Sequence, residues 1–250
     1  ELAETAEPHL TGAEQAAWLH RLETEHDNLR AALSWFVETG GPNEELRLAG
    51  ALWRFWDARG HLSEGRSWLT QALRHAATAP AVLRAKALDG VGVIANVQGD
   101  LANAIAAHEA ALALSRSVED ETGMARSTGY LGWIACFRGE FEQAVPLLEE
   151  AQGHFRSVGD TRGVAIALQA LSEVAFIRGD YDRSTRLGTQ SLALLRALGE
   201  PTMIAKLVHH LGRLAHQRGD HDEATAYFAE GLERWQLLGD PAGTALASIM

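Results

Sequence analysis

Three groups of side chains in this 250-residue chain could do chemistry. His209, His216 and His221 could approach a metal ion, Cys136 could act as a nucleophile beside a histidine, and a longer series of charged and aromatic residues recurs at intervals that could line a binding surface. The first group is weak: His209 and His216 stand seven residues apart, two helical turns, and zinc normally takes three or four ligands. No metal site is therefore expected. Cys136 has no base placed beside it by any sequence signal and nothing to lower its thiol pKa. As the single cysteine it also excludes an internal disulfide and a cysteine-based zinc site. The acidic residues fall at helix starts and on polar faces, where capping and solubility account for them. There is no Gly-x-x-x-x-Gly-Lys-[Ser/Thr] phosphate loop and no basic recognition helix. The expectation is a chain that is not an enzyme, has no catalytic residues and no cofactor, and does not itself read nucleic acid. What remains is binding.

The elements that must position a binding surface follow from a repeat. Gly99-Asp100, Gly139-Glu140, Gly179-Asp180 and Gly219-Asp220 are spaced by 40 residues. Gly159-Asp160, Gly199-Glu200 and Gly239-Asp240 fall midway, with Glu119-Asp120 as a degenerate member, and Gly60 extends the series towards the N-terminus. Glycine accepts the left-handed conformation that closes a helix, and an acidic residue suits the start of the next one. Pro201 and Pro241 take first-turn positions, where proline is tolerated. Between these hinges lie helical stretches of 16 to 18 residues. With 77 Ala plus Leu against 18 Val plus Ile, composition also favours helix over strand. The predicted fold is all-α: a right-handed solenoid of antiparallel helix pairs with a 40-residue period.

Helix phase assigns the faces. Leu131, Gly132 and Ala135, with Val208, Leu211, Gly212 and Ala215, mark the packed face of first helices. Small residues recur in second helices at Gly65, Ala104, Ala144, Ser184 and Ala224, and again seven residues on, with Leu69, Leu148 and Phe228 as fillers. His108 falls at a filler position and is expected to be a packed histidine. The inner, concave side of a stack of helix pairs is the usual binding surface. Phase places Arg47, Arg54, Asp57, Lys86, Asp89, Asn96 and Arg126 there. Trp133, Phe137, Gln169, Glu173, Phe176, Lys206, His209, Arg213 and His216 continue the series. Both lysines of the chain are among them although the net charge is −11. The expected occupant is a protein segment or a small anionic ligand, held by charge-assisted hydrogen bonds and by Trp133, Phe137 and Phe176.

Residues 1–43 are expected to form a helix pair that caps or starts the stack. Thr11-x-x-Glu14 and Thr24-x-x-Asp27 read as reciprocal helix caps, and Gly40-Gly41-Pro42 as the stop. Residues 44–250 then hold about five repeats, the last truncated. Five of seven tryptophans precede residue 69, which predicts the bulkiest core there. The chain starts with Glu1, and residues 241–250 would open another first helix, so a segment of a longer protein is expected. No run of 18 uncharged apolar residues is present and residues 1–20 lack the layout of a signal peptide, so the expectation is a cytoplasmic protein with no membrane partner.

The pattern resembles the tetratricopeptide repeat. Leu131-Gly132, Ala144 and Ala151 match its signature, as do Leu211-Gly212, Ala224 and Gly231, although the family's usual unit is 34 residues and this one is 40. A 40-residue period also suits a HEAT-type array; the Leu-Gly and Ala signature favours the tetratricopeptide repeat. Two further stretches are similar to the start of the repeat region in bacterial signal-transducing ATPases. They are Leu22-Glu-Thr-Glu-His-Asp-Asn-Leu-Arg-Ala-Ala-Leu33 and Leu52-Trp-Arg-Phe-Trp-Asp-Ala-Arg-Gly-His-Leu-Ser-Glu-Gly-Arg-Ser-Trp-Leu69. That resemblance implies an NB-ARC-like nucleotide-binding module before the repeats and a DNA-binding module of LuxR or antibiotic-regulatory type at one end. It implies that this chain is the sensor or partner-binding arm of a transcriptional regulator, in contact with an ATPase module of the same protein. A free-standing scaffold that assembles other proteins is the alternative.

Overall fold

The computed structural model describes residues 1–12 and 14–238. Within them the chain is helical throughout and contains no strand. The helices are α1 (Leu2–Ala6), α2 (Gln15–Thr24), α3 (His26–Thr39), α4 (Pro42–Arg59), α5 (Leu62–His75), α6 (Ala81–Val97), α7 (Leu101–Ser117), α8 (Glu121–Phe137), α9 (Phe141–Ser157), α10 (Thr161–Ile177), α11 (Tyr181–Leu198), α12 (Pro201–Arg218) and α13 (His221–Leu238), with a short 3-10 turn at Glu7–His9. From α6 onward the helices are 17 or 18 residues long, as the hinge spacing predicts. No described helix is long and apolar enough to cross a membrane. Gly239-Asp240, Pro241 and the further helix expected at 241–250 lie outside the described residues.

The hinges work as their chemistry requires. At Gly99-Asp100 the glycine takes φ +79°, its N–H donates to Asn96 O at 3.0 Å, and the Asp100 N–H reaches Ala95 O at 2.8 Å. Paired bonds of this kind satisfy the last carbonyls of a helix. The Asp100 carboxylate then caps α7 through the Asn103 N–H. Asp160 and Asp180 cap α10 and α11 in the same way, whereas the longer Glu140 and Glu200 make no side-chain cap. At the degenerate hinge Glu119 itself adopts φ +55°. The hinge geometry is imposed there on a residue that disfavours it.

The described residues form two compact units, one up to residue 134 and one from residue 135 onward. In the first, α4 packs on α5 and α6, and α6 on α7. Its core centres on Phe55 and Trp56, both essentially buried, with Trp53, Leu52, Leu69 and Ile94. Trp53 and Trp56 bear out the expectation of a bulky core, but Trp35 is 58% exposed. In the second unit α10 packs on α9 and α11, and α12 on α11 and α13. Its main core includes Leu192, Leu195, Leu207, Val208 and Leu211.

Small residues set the helix spacing, as phase predicts. Ala104, Ala144, Ser184, Ala72, Ala111, Ala151 and Ser191 are all buried. At Gly212 a Cβ would stand 2.6 Å from Phe228 Cε1, and at Gly92 one would stand 2.5 Å from His108 Nε2. The large partner fills the volume the glycine leaves.

The N-terminal region departs from the capping expected of it. Thr11 precedes α2 by several residues, and α2 starts from Glu14 without a side-chain cap. Thr24 lies inside α2 and donates its hydroxyl to His20 O at 3.1 Å. Only Glu25 separates α2 from α3, and its N–H is taken by Arg21 O, so Thr24 has no orphan N–H to cap. Asp27 pairs with Arg30 instead. The additional α1 and 3-10 turn pack on α4.

Candidate functional site

The side chains placed by phase on the first-helix face gather into one polar centre in each unit. In the first unit the centre is Asp89 on α6. Its side chain is wholly buried, so the structure corrects its placement on an open groove. Three donors justify the burial: Arg126 Nε at 2.6 Å, Ser127 Oγ at 2.9 Å and His108 Nδ1 at 2.9 Å. Buried charge is tolerated when it is paired and hydrogen-bonded in this way. Desolvation works against the Arg126 charge, but the Asp89 carboxylate outweighs it and raises the guanidinium pKa. Tyr130 stacks on the His108 ring at 4.7 Å between centroids, and burial raises its phenol pKa. Arg54 lies over the Trp53 ring at 4.4 Å, and burial raises the carboxyl of the neighbouring Asp57 against the Arg54 charge.

The other candidates of this unit are already engaged. Arg47 is paired to Glu4 on α1 at 2.6 Å, and Lys86 forms an ion pair with Glu7. Asn96 is half-buried, and Trp133 is 39% exposed.

In the second unit the centre lies between α10 and α12. His210 Nδ1 is 3.0 Å from Glu173 Oε1, and its Nε2 is 3.0 Å from Ser172 Oγ. Ser172 and Ser184 each donate a hydroxyl to the other's backbone carbonyl at 2.8 Å, which draws α10 and α11 together. Burial pushes the Glu173 carboxyl upward, but the His210 hydrogen bond and the charges of His210, Arg213 and His209 outweigh it, so its pKa is held below its ordinary value. His209 is 7% exposed, with Nδ1 unpartnered. Burial first, and then the Arg213 charge, lower its pKa. The Arg213 guanidinium lies over the Phe176 ring at 4.8 Å, within cation–π range, and Phe176 meets His210 edge-on at 5.5 Å. Gln169 has a buried Oε1 without a partner.

Lys206 is exposed, and among the described residues it has no hydrogen-bond or ion-pair partner. His216 is exposed beside His221, with ring centroids 5.4 Å apart. Phe137 is 72% exposed. Cys136 is half-buried, and burial together with Glu173 pushes its thiol up to about 11, the opposite of what a nucleophile needs.

The structure therefore brings Asp89 to Arg126 in one unit and Glu173, Phe176, His209 and Arg213 together in the other. Sequence reasoning missed Tyr130, Ser127 and His210. A signal existed for two of them: Tyr130 and His210 occupy the repeat position of Gly90 and Ala170, where a small residue is the rule. His108 is the packed histidine that its filler position predicts, and its role is to hold Asp89.

Comparison with known proteins adds the repeat family. A tetratricopeptide-repeat model matches residues 83–157, and a second matches residues 205–238. Those two stretches of the chain carry tetratricopeptide repeats. The fold agrees with solved structures. BtubC from P. vanneervenii superposes with a TM-score of 0.71 at 19% identity, over 86% of this chain and 92% of that one. A Rap protein complexed with Competence and Sporulation Factor gives 0.70 at 13% identity, over 82% of this chain and 57% of that one. In sequence, a protein of Mycobacterium tuberculosis named "Putative HTH-type transcriptional regulator" is 36% identical over 115 residues, as is its Mycobacterium bovis counterpart. The match covers 43% of this chain but only 13% of those proteins. None of the matched families is an enzyme family.

Proposed function

We propose that this chain is the partner-binding arm of a larger bacterial transcriptional regulator of the signal-transducing ATPase class. In this reading the first-helix face takes a protein segment or a small anionic ligand, and occupancy biases an attached ATPase module between off and on states. The observation that carries it is the 115-residue match to proteins named as HTH-type regulators, of which it covers 13%: most of the length of such a protein lies outside the matched segment. The residues quoted for the ATPase-regulator resemblance, Leu22–Leu33 and Leu52–Leu69, support the same reading. A similar fold, that of a Rap protein complexed with Competence and Sporulation Factor, supports a repeat scaffold as the binding part.

Geometry favours the second unit for the contact. Lys206 has no carboxylate partner there, Arg213 makes no salt bridge and lies over the Phe176 ring, and Gln169 and His209 hold unpartnered buried polar atoms. A ligand can shift the switch only by binding its two states unequally. The test is made in the natural full-length protein. Lys206→Ala with Arg213→Ala is expected to abolish signal-dependent transcription from the regulated promoter and leave promoter binding intact. An unchanged transcriptional response would overturn the proposal, as would a natural sequence without a phosphate loop.

A further inference from the structure

Where the N-terminal helices meet the first repeat, side chains from three separate elements converge. Glu23 comes from the last turn of α2, His26 opens α3, and His61 follows the Gly60 hinge before α5. One ligand atom from each lies within 4.8 Å of the others, and among the described residues this is the one such cluster of three or more. His61 Nε2 is 3.2 Å from Glu23 Oε1, and the two imidazole rings stand 4.5 Å apart between centroids. His26 is 7% exposed and meets the wholly buried Phe55 edge-on at 5.0 Å, so one side of the cluster is closed to water.

The surroundings are those of a built site. Glu64 lies 3.2 Å from His26 Nε2, and Arg30 holds that carboxylate through both oxygens at 2.8 and 2.6 Å. A carboxylate fixed against a histidine in this way orients the ring and raises its basicity as a ligand. Arg59 touches the other oxygen of Glu23 at 3.5 Å, which leaves Oε1 turned to His61.

We propose that Glu23, His26 and His61 bind one divalent cation of the zinc class, with Glu64 as the outer partner of His26. Two neutral imidazoles and a carboxylate supply three of the four donors such an ion takes, and water supplies the fourth. Zinc bonds of about 2.0–2.2 Å require the three donors to close by roughly an ångström. Two of them lie on exposed or half-exposed side chains that can make that movement. The cation clips the α2–α3 corner to the α4–α5 turn and stabilises the first unit by binding its folded form alone. The site stands apart from the first-helix face and does not depend on the regulator reading.

The experiment is isothermal titration of the chelator-treated, tag-free chain with ZnCl2, followed by CoCl2 for its visible spectrum and by thermal melting. The expected result is one equivalent bound, a tetrahedral cobalt spectrum and a raised Tm. His61→Ala and Glu23→Gln alter surface-accessible side chains, so the fold survives them. Each is expected to weaken binding by about tenfold or more and to remove the Tm gain. His216→Ala with His221→Ala is expected to leave zinc binding and the Tm gain as in the parent. The proposal is overturned if no equivalent binds, if both first-site variants bind as the parent does, or if binding disappears in the His216/His221 variant instead.

Discussion

In the first unit three of the four cations of the first-helix face end on carboxylates, Arg47 on Glu4, Lys86 on Glu7 and Arg126 on Asp89, while Arg54 lies over the Trp53 ring. In the second, Lys206 stands exposed and Arg213 rests on an aromatic ring. The same repeat position thus serves two purposes. Where the cation forms a salt bridge to an acidic residue, it holds helices together; where it forms none, its charge stays more available to a partner. Glu4 and Glu7 come from α1 and the 3-10 turn, outside the repeat register, and Asp89 from an inward-facing position of α6, so the repeat alone does not decide which purpose a cation serves.

That contrast predicts a ranked set of effects. Asp89→Ala leaves Arg126 and His108 unpaired. Because Arg126 keeps some solvent contact, the cost is expected near the lower end for breaking a buried pair, about 3 kcal/mol in denaturant unfolding. A cost under about 1 kcal/mol would mean the first-unit charges are not structural. Gly212→Leu presses on Phe228 in the second unit and is expected to cost about 1–3 kcal/mol, read as a lowered Tm. An unaffected Tm would break the face assignment on which the comparison stands.

Two smaller effects sharpen it. Burial keeps His209 neutral below its ordinary pKa, so the unfolded chain takes up that proton first. Stability is therefore full above the ordinary histidine range and falls as pH drops through that range towards the folded value. Between pH 7 and 5, His209→Gln is expected to show a flatter stability profile than the parent. An equal slope would remove His209 from the account. Glu119→Gly replaces a strained left-handed residue with one suited to the hinge, and is expected to stabilise by about 0.5–1 kcal/mol in the same unfolding assay.

The hinges were legible because a glycine and an acidic residue act locally: each closes or opens a helix whatever surrounds it. The small-residue positions were legible for a related reason, since a fixed period repeats the same contact. The Asp89 centre was not. Helix phase put that residue on an exposed face, but His108, Arg126 and Ser127 reach it from two other helices, and no periodicity encodes a meeting of three. Glu23, His26 and His61 escaped for the same reason, while His209, His216 and His221 drew attention by proximity in sequence alone. Thr11 and Thr24 misled because a capping motif specifies a cap only where the chain leaves a helix start free, and α3 follows α2 with a single residue between them.

The central claim is that the second unit's unpaired cations receive the partner and the first unit's paired cations do not. Native mass spectrometry of the protein purified from its own host tests it directly. A retained peptide or small molecule is expected on the parent and on an Arg47→Ala, Lys86→Ala variant, and is expected to be missing from Lys206→Ala, Arg213→Ala. An adduct kept by the second variant and lost from the first would contradict the account.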